Sequence, residues 1–308
     1  VPAPSSLLEE AAGMFLDSLS IGFRAYLFLF PYCLVSSIYL SENEVHTVLI
    51  GFIRNWRRRS IIRNSSITNE QWSQAFAKLP LLKGLSLEEE RRLYELAILL
   101  IHYKSFEAAQ GLELSQDMVM HIALQACLPI LNLGLEAYDG WVSVIVYPEA
   151  FVRRRQYIDD AGVMHEDNPG LAGESWQRGP VIVGWQDARI AGEMDGHNVV
   201  IHEFAHKLDM QNGKANGFPP LHQGMTTEAW VQAFSQAFAH FQNHCHGNDY
   251  SGIDRDIDCY GATSPAEFFA VLSEVFFEQP DLLKQHYPAV YRQLCLYYRQ
   301  DPLQRLAI

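Results

Sequence analysis

The chain of 308 residues predicts an α+β fold, and three observations along it carry that reading. Helical periodicity dominates up to Gly134, short β-branched runs ended by Pro or Gly occupy Trp141 to Trp185, and helical patterns then return. Hydrophobic residues make up 48 % of the sequence, enough to fill a real core. Length alone allows one large domain or two modest ones. Lys plus Arg number 23 against 36 Asp plus Glu, a net charge of -13, which argues against direct, non-specific nucleic-acid binding.

The start of the chain stands apart. Ile21 to Leu40 reads IGFRAYLFLFPYCLVSSIYL, uncharged after Arg24 and interrupted by Pro31. A bilayer span takes about 20 apolar residues. VLIGFI follows at Val48 to Ile53, then a basic knot of Arg54, Arg57, Arg58, Arg59 and Arg63 with Trp56 among them. Residues 1–63 are expected to form a helical N-terminal extension. Two readings stand: an apolar helix packed on the main domain, or membrane contact through residues 21–63. Glu9 and Glu10 before the run, and the lack of a small-x-small site after it, do not suit a signal peptide.

Residues 64–308 then read as one domain. Thr68 is placed to cap a helix with Gln71 at the third position, and Ser86 to cap a clearer one running through SLEEERRLYELAILLIHYKSF. Leu93, Leu96, Leu99 and Leu100 give that helix its apolar face. QDMVMHIALQACLPILNLG is a second apolar helix, broken near Pro129. WVSVIVYP and GPVIVGW read as strands, with a polar, glycine-rich loop between them. NVVIHEFAHKLD is helical, Gly213 and Gly217 punctuate the loop after it, and helices start again at Thr227 and at Ser264-Pro265.

Cys33, Cys127, Cys245, Cys259 and Cys295 are odd in number and lack a CxxC pair, so no disulfide framework is expected, and a reducing compartment suits the count. Cys127 lies in an apolar segment and reads as a small buried hydrophobe.

His202, Glu203 and His206 form an HExxH motif. Residues four apart share a helix face, so His202 and His206 can aim two imidazole nitrogens at one zinc ion. Glu203 lies one step round, placed to take a proton from water at the metal. Zinc needs a third protein ligand, and Asp209 and Asn212 exclude the histidine-based extension of the motif. The downstream candidates are His222, His240, His244, His246, Glu228, Glu267, Glu274 and Glu278. The histidines in HFQNHCH are also close enough in sequence to form a second metal site. Glu267 is the preferred ligand, because it starts an otherwise very apolar helix, PAEFFAVLSEVFF. Glu274 lies seven positions on and shares its face, as ligand or as support for one. Asp209 is a candidate acceptor for a ligand's second ring nitrogen.

HEFAHKLDMQNG, GPVIVGW, YGATSPAEFFAVLSEVFF and the terminal YYRQDPLQRL together resemble the MtfA family, the Mlc titration factors of bacteria. The resemblance runs from about Glu70 to Ile308. It implies a zincin-like fold with a mixed sheet and an HExxH helix, similar to the catalytic domain of anthrax lethal factor, and a gluzincin-type zinc metallopeptidase. It makes Zn2+ the cofactor, with His202, His206 and Glu267 as ligands and Glu203 as general base. Tyr260, seven residues before Glu267, matches a tyrosine that can donate to a developing oxyanion. The same resemblance implies an aminopeptidase-type activity on a peptide or protein substrate. It also implies a Mlc-like transcriptional repressor as partner, with an effect on glucose phosphotransferase uptake. A cytoplasmic location follows, the alternative being the inner membrane through the extension. A non-catalytic repressor-binding protein with structural zinc is the competing reading.

Overall fold

The computed structural model describes residues 42–149, 179–246 and 257–307. Two compact units divide the chain, Val1–Asn55 and Trp56–Ile308. The apolar run Ile21–Leu40 lies outside the described residues. Helix α1 (Glu42–Arg63) carries the basic knot. Arg54, Trp56, Arg57, Arg59 and Arg63 are exposed, and Arg58 Nη2 meets Glu136 Oε1 at 2.8 Å. Among the described residues, no helix is long and apolar enough to cross a membrane.

Both expected capping signals operate. Helix α2 (Asn69–Ala77) starts with Thr68 accepting from the Gln71 N–H while the Gln71 side chain accepts from the Thr68 N–H. Ser86 and Glu89 make the same reciprocal pair at the start of α3 (Leu87–Tyr103). Each pair satisfies two amides that a helix start leaves open. Leu93, Leu96, Leu99 and Leu100 are buried as their spacing requires. The helix stops short of the expected Phe106, because Lys104 turns to extended backbone and the Ser105 N–H donates to Val142 O at 2.9 Å. The next residues form strand β1 (Ser105–Ala108), which a reading of local pattern misses. Its pattern is too short to signal a strand, and pairing with a distant partner decides it.

Helix α4 (Gln116–Cys127) leads on to β2 (Ser143–Tyr147), and β3 is Val181–Gly184. The order is β1-β2-β3, with Ser105 opposite Ser143 and Val144 opposite Val181. Both pairings are parallel, so the expected mixed sheet is a parallel one among the described residues. The connection from β1 to β2 passes through α4, a crossover that returns the chain in the same direction. Val144, Val146, Val181 and Val183 are buried.

Helix α5 (Trp185–Ile190) follows β3 directly, and α6 (Val199–Asp209) carries the HExxH motif. Asn198 caps α6, its Oδ1 accepting from the Ile201 N–H at 2.9 Å. Helices α7 (Thr227–His246) and α8 (Pro265–Glu278) begin where expected. Ser264 Oγ accepts from the Glu267 N–H at 3.2 Å, and Pro265 occupies the first turn, where no amide is needed. Prolines also open α9 (Pro280–His286), α10 (Pro288–Tyr298) and α11 (Pro302–Leu306).

Every residue of α8 from Phe268 to Glu278 is buried, so this helix is the centre of the core. Aromatic rings surround it: Trp230 stacks on Phe234 with centroids 4.2 Å apart, and Phe276 stacks on Tyr298 at 5.5 Å. Cys127 is buried, and burial pushes its thiol up, as befits a small hydrophobe. The expectation from the cysteine count is corrected at one place: Cys245, near the end of α7, is bonded to Cys259 in the turn Cys259–Ala262. A spacing of 14 carries no signal of its own, since the packing of α7 against that turn makes the encounter.

The loop after α6 is pinned to the start of α8. Gly217 has φ of +76°, its N–H donates to Asp209 Oδ2 at 2.7 Å, and its carbonyl accepts from Trp230 Nε1 at 3.1 Å. A Cβ there would collide with the Pro265 carbonyl. Gly217→Ala is therefore expected to destabilise the protein by about 2–4 kcal/mol, a fall of roughly 5–15 °C in Tm. Thermal denaturation checks this, and an unchanged Tm would contradict the close approach.

Candidate active site

Helices α6 and α8 pack together in opposite directions, and that packing builds the site. His202 and His206 sit one turn apart on α6, their rings nearly perpendicular with centroids 4.8 Å apart. Glu267 reaches them from the first turn of α8. His202 Nε2 is 3.0 Å from Glu267 Oε2, His206 Nε2 is 3.3 Å from the same oxygen, and the two Nε2 atoms are 3.2 Å apart. His202 is 2 % exposed at the side chain and Glu267 21 %. Burial raises the Glu267 carboxyl, but hydrogen bonding and charge from His202 and His206 outweigh it and hold the group well below the usual carboxylate range.

This triangle can be tested against a metal. Three ligands on a tetrahedral zinc, each about 2.0–2.1 Å from it, lie roughly 3.3 Å from one another. The three separations found here match that face. The chemistry matches as well. His202 Nδ1 faces Glu274 Oε1 at 2.6 Å, and in the tautomer that donates from Nδ1 to this carboxylate the Nε2 lone pair is turned toward His206 Nε2 and Glu267 Oε2. Converging lone pairs repel unless a cation or a proton lies among them. Two imidazole nitrogens and one carboxylate oxygen form a donor set that zinc takes readily. Among the described residues, this is the one group of His, Cys, Asp and Glu side chains arranged to hold a metal ion.

Several of the other candidate ligands have partners elsewhere. His222 Nε2 is 2.8 Å from Tyr297 O, and His240 Nδ1 is 3.2 Å from the Tyr287 hydroxyl. The His246 side chain lies outside the described residues, and among those described His240 and His244 belong to no group arranged to hold a metal ion. Glu274 is not part of the triangle: it lies behind His202, with Oε2 accepting from the Asn198 N–H at 2.6 Å. Glu203 is half-buried beside the two histidines on α6. Four residues on, Lys207 Nζ donates to Gly179 O at 2.8 Å. Burial lowers the Lys207 ammonium to about 8, with the Glu203 charge pulling the other way. Tyr260 is half-buried in the turn that precedes α8, its ring 6.2 Å from that of His202. Asp258 Oδ1 accepts the Tyr260 N–H at 2.9 Å and fixes that turn.

Asp209 lies one turn beyond His206, whose charge acts on its carboxyl. Its Oδ2 accepts the N–H groups of Asn216 and Gly217, both at 2.7 Å, so it organises the loop after α6. His206 Nδ1 makes no hydrogen bond among the described residues. Sequence reasoning also missed a buried polar cluster behind the site, made by Gln125, Asn198 and Glu278. Asn198 Nδ2 donates to Gln125 Oε1 and to Glu278 Oε1, each at 2.8 Å. Burial pushes the Glu278 carboxyl up to about 7, against the pull of the Asn198 amide. One signal was available: Glu267, Glu274 and Glu278, at spacings of seven and eleven, lie within about 20° of one line along α8.

Comparison with known proteins places this geometry. The chain is 42 % identical over 238 residues to the Mlc titration factor A of Yersinia enterocolitica, covering 77 % of this chain and 87 % of that protein. The proteins of the same name from Yersinia pestis and Yersinia pseudotuberculosis are 40 % identical over 238 residues, covering 86 % of their length. Residues 53–299 match the profile described as glucose-regulated metallo-peptidase M90, a span that contains the HExxH helix, the tyrosine turn and all of α8. The chain belongs to the glucose-regulated metallo-peptidase M90 family.

Proposed function

We propose that this protein is a zinc-dependent peptidase of aminopeptidase type, with His202, His206 and Glu267 as metal ligands, Glu203 as general base and Tyr260 as an oxyanion donor. The observation that carries the reading is the triangle of two Nε2 atoms and one carboxylate oxygen at 3.0–3.3 Å. Zinc held by these residues supplies Lewis acidity, acidifying water and polarising a peptide carbonyl. Glu203 accepts the proton of the attacking water and delivers it to the leaving amine. The Tyr260 hydroxyl donates to the oxygen that gains charge as the carbonyl carbon becomes tetrahedral. β3 lies at one end of the described sheet, so its outer backbone groups can align an extended peptide. The catalytic domain is residues 64–308, preceded by the extension 1–63.

A second role rests on the relatives, whose name is Mlc titration factor A. We infer that this chain also binds a Mlc-like transcriptional repressor in the cytoplasm and so affects glucose phosphotransferase uptake. The net charge of -13 suits an effect on transcription through a protein rather than through DNA.

Four outcomes test this. Glu203→Ala is expected to keep bound zinc, measured by elemental analysis, while turnover of a peptide substrate falls about 10²–10⁴-fold. Turnover at the parent rate would leave the zinc structural. Glu267→Ala should lose the metal together with activity, whereas Tyr260→Phe should retain the metal and lose roughly 10²-fold in kcat. Repressor binding, followed by calorimetry, should be unchanged in Glu203→Ala, and its loss would mean that binding needs the catalytic carboxylate.

A further inference from the structure

We propose that Asn198 and Glu278 are positioning residues of this site, holding Glu274 and through it the ring of His202. The proposal rests on the zinc-peptidase reading above. Asn198 is fully buried, and its side chain makes three hydrogen bonds. Its Oδ1 caps α6 through the Ile201 N–H at 2.9 Å, and its backbone N–H donates to Glu274 Oε2 at 2.6 Å. Its carbonyl accepts the His202 N–H at 2.9 Å, so one residue touches both the ligand's backbone and the carboxylate behind the ligand's ring.

A helix cap needs only one acceptor, and Ser, Thr or Asp would serve. The amide of Asn198 adds two donors, which reach two other helices. One bonds Gln125 Oε1 on α4, and the other bonds Glu278 Oε1 on α8. Gln125 is itself held, its Nε2 donating to His121 O at 3.3 Å and to Ala188 O at 3.4 Å. Glu278 Oε1 also accepts the Gly192 N–H at 3.0 Å, which ties the loop before α6 to the end of α8. Asn198 is therefore fixed from α4, α6 and α8 at once. Glu274 is 3 % exposed, so water cannot readily replace a donor that Asn198 withdraws. A loosened Glu274 leaves His202 free to turn, and groups behind a metal's ligands typically contribute 10–100-fold to metal affinity or activity.

The test measures zinc release to a chelator, kcat, KM and Tm on the full chain. Asn198→Ser keeps the cap acceptor and loses both amide donors. Glu278→Ala loses the acceptor, and Glu278→Gln keeps it. Ser273→Ala removes a buried hydroxyl that accepts from the Tyr298 hydroxyl of α10 and donates to Phe269 O within α8, and serves as a control for simple destabilisation. Asn198→Ser and Glu278→Ala are expected to release zinc at least 10-fold faster than the parent, with kcat lowered and KM nearly unchanged. Glu278→Gln should behave like the parent, and Ser273→Ala should lower Tm alone. Parent-like zinc release and kcat in both Asn198→Ser and Glu278→Ala would overturn the proposal, as would a loss in Glu278→Gln equal to that in Glu278→Ala. If Glu278→Ala does not fold, Asn198→Ser and Glu278→Gln still decide it. A parent that binds no zinc would instead refute the metal site itself.

Discussion

Three carboxylates lie along one face of a helix that is otherwise almost wholly apolar, and the fold around them is arranged to meet them. An isolated carboxylate in a protein interior is strongly unfavourable, so each needs its own partners. Glu267 sits in the first turn of α8, where the helix end favours negative charge, and faces His202 and His206. Glu274 lies deeper, between His202 Nδ1 and the Asn198 N–H. Glu278 lies at the far end, against the Asn198 amide and the Gly192 N–H. The partners come in reverse order along α6, which is what antiparallel packing of two helices requires. One stripe on α8 thus sets the position, the direction and the rotation of the HExxH helix.

That constraint explains why the core is so heavily aromatic on the other faces of α8. Phe268, Phe269, Phe276 and Phe277 are buried and pack against rings of α7 and α10. Large rigid side chains lock the helix rotation, and a small rotation would move all three carboxylates from their partners together. The loop after α6 adds a second restraint, through Asp209, Gly217 and the Pro265 carbonyl. The two arms of the site, α6 and the first turn of α8, are held at both ends.

Much of this was legible in the sequence because it depends on local spacing. The capping boxes at Thr68 and Ser86, the start of α8 at Pro265 and the four-residue interval between His202 and His206 are short-range signals, and each appears in the structure. The choice between Glu267 and Glu274 was not local. Both lie on one face, and the axial offset between α6 and α8 alone decides which of them meets Nε2 and which meets Nδ1. The same holds for the candidates to support a ligand: Glu274 meets His202 Nδ1, and Asp209 Oδ2 binds the following loop. Strand β1, the Cys245–Cys259 bridge and the reach of Asn198 to Gln125 all join residues far apart in the chain or at spacings without periodic meaning, so no window of sequence displays them.

The central claim is the division of labour along the α8 stripe, with the first carboxylate on the metal and the second behind it. An anomalous difference map recorded at the zinc absorption edge, from crystals of the purified protein, tests it most directly. The account predicts a single strong peak bonded by His202 Nε2, His206 Nε2 and Glu267, with Glu274 on His202 Nδ1. A peak bonded by Glu274 in place of Glu267, or one lying away from these histidines, would contradict it.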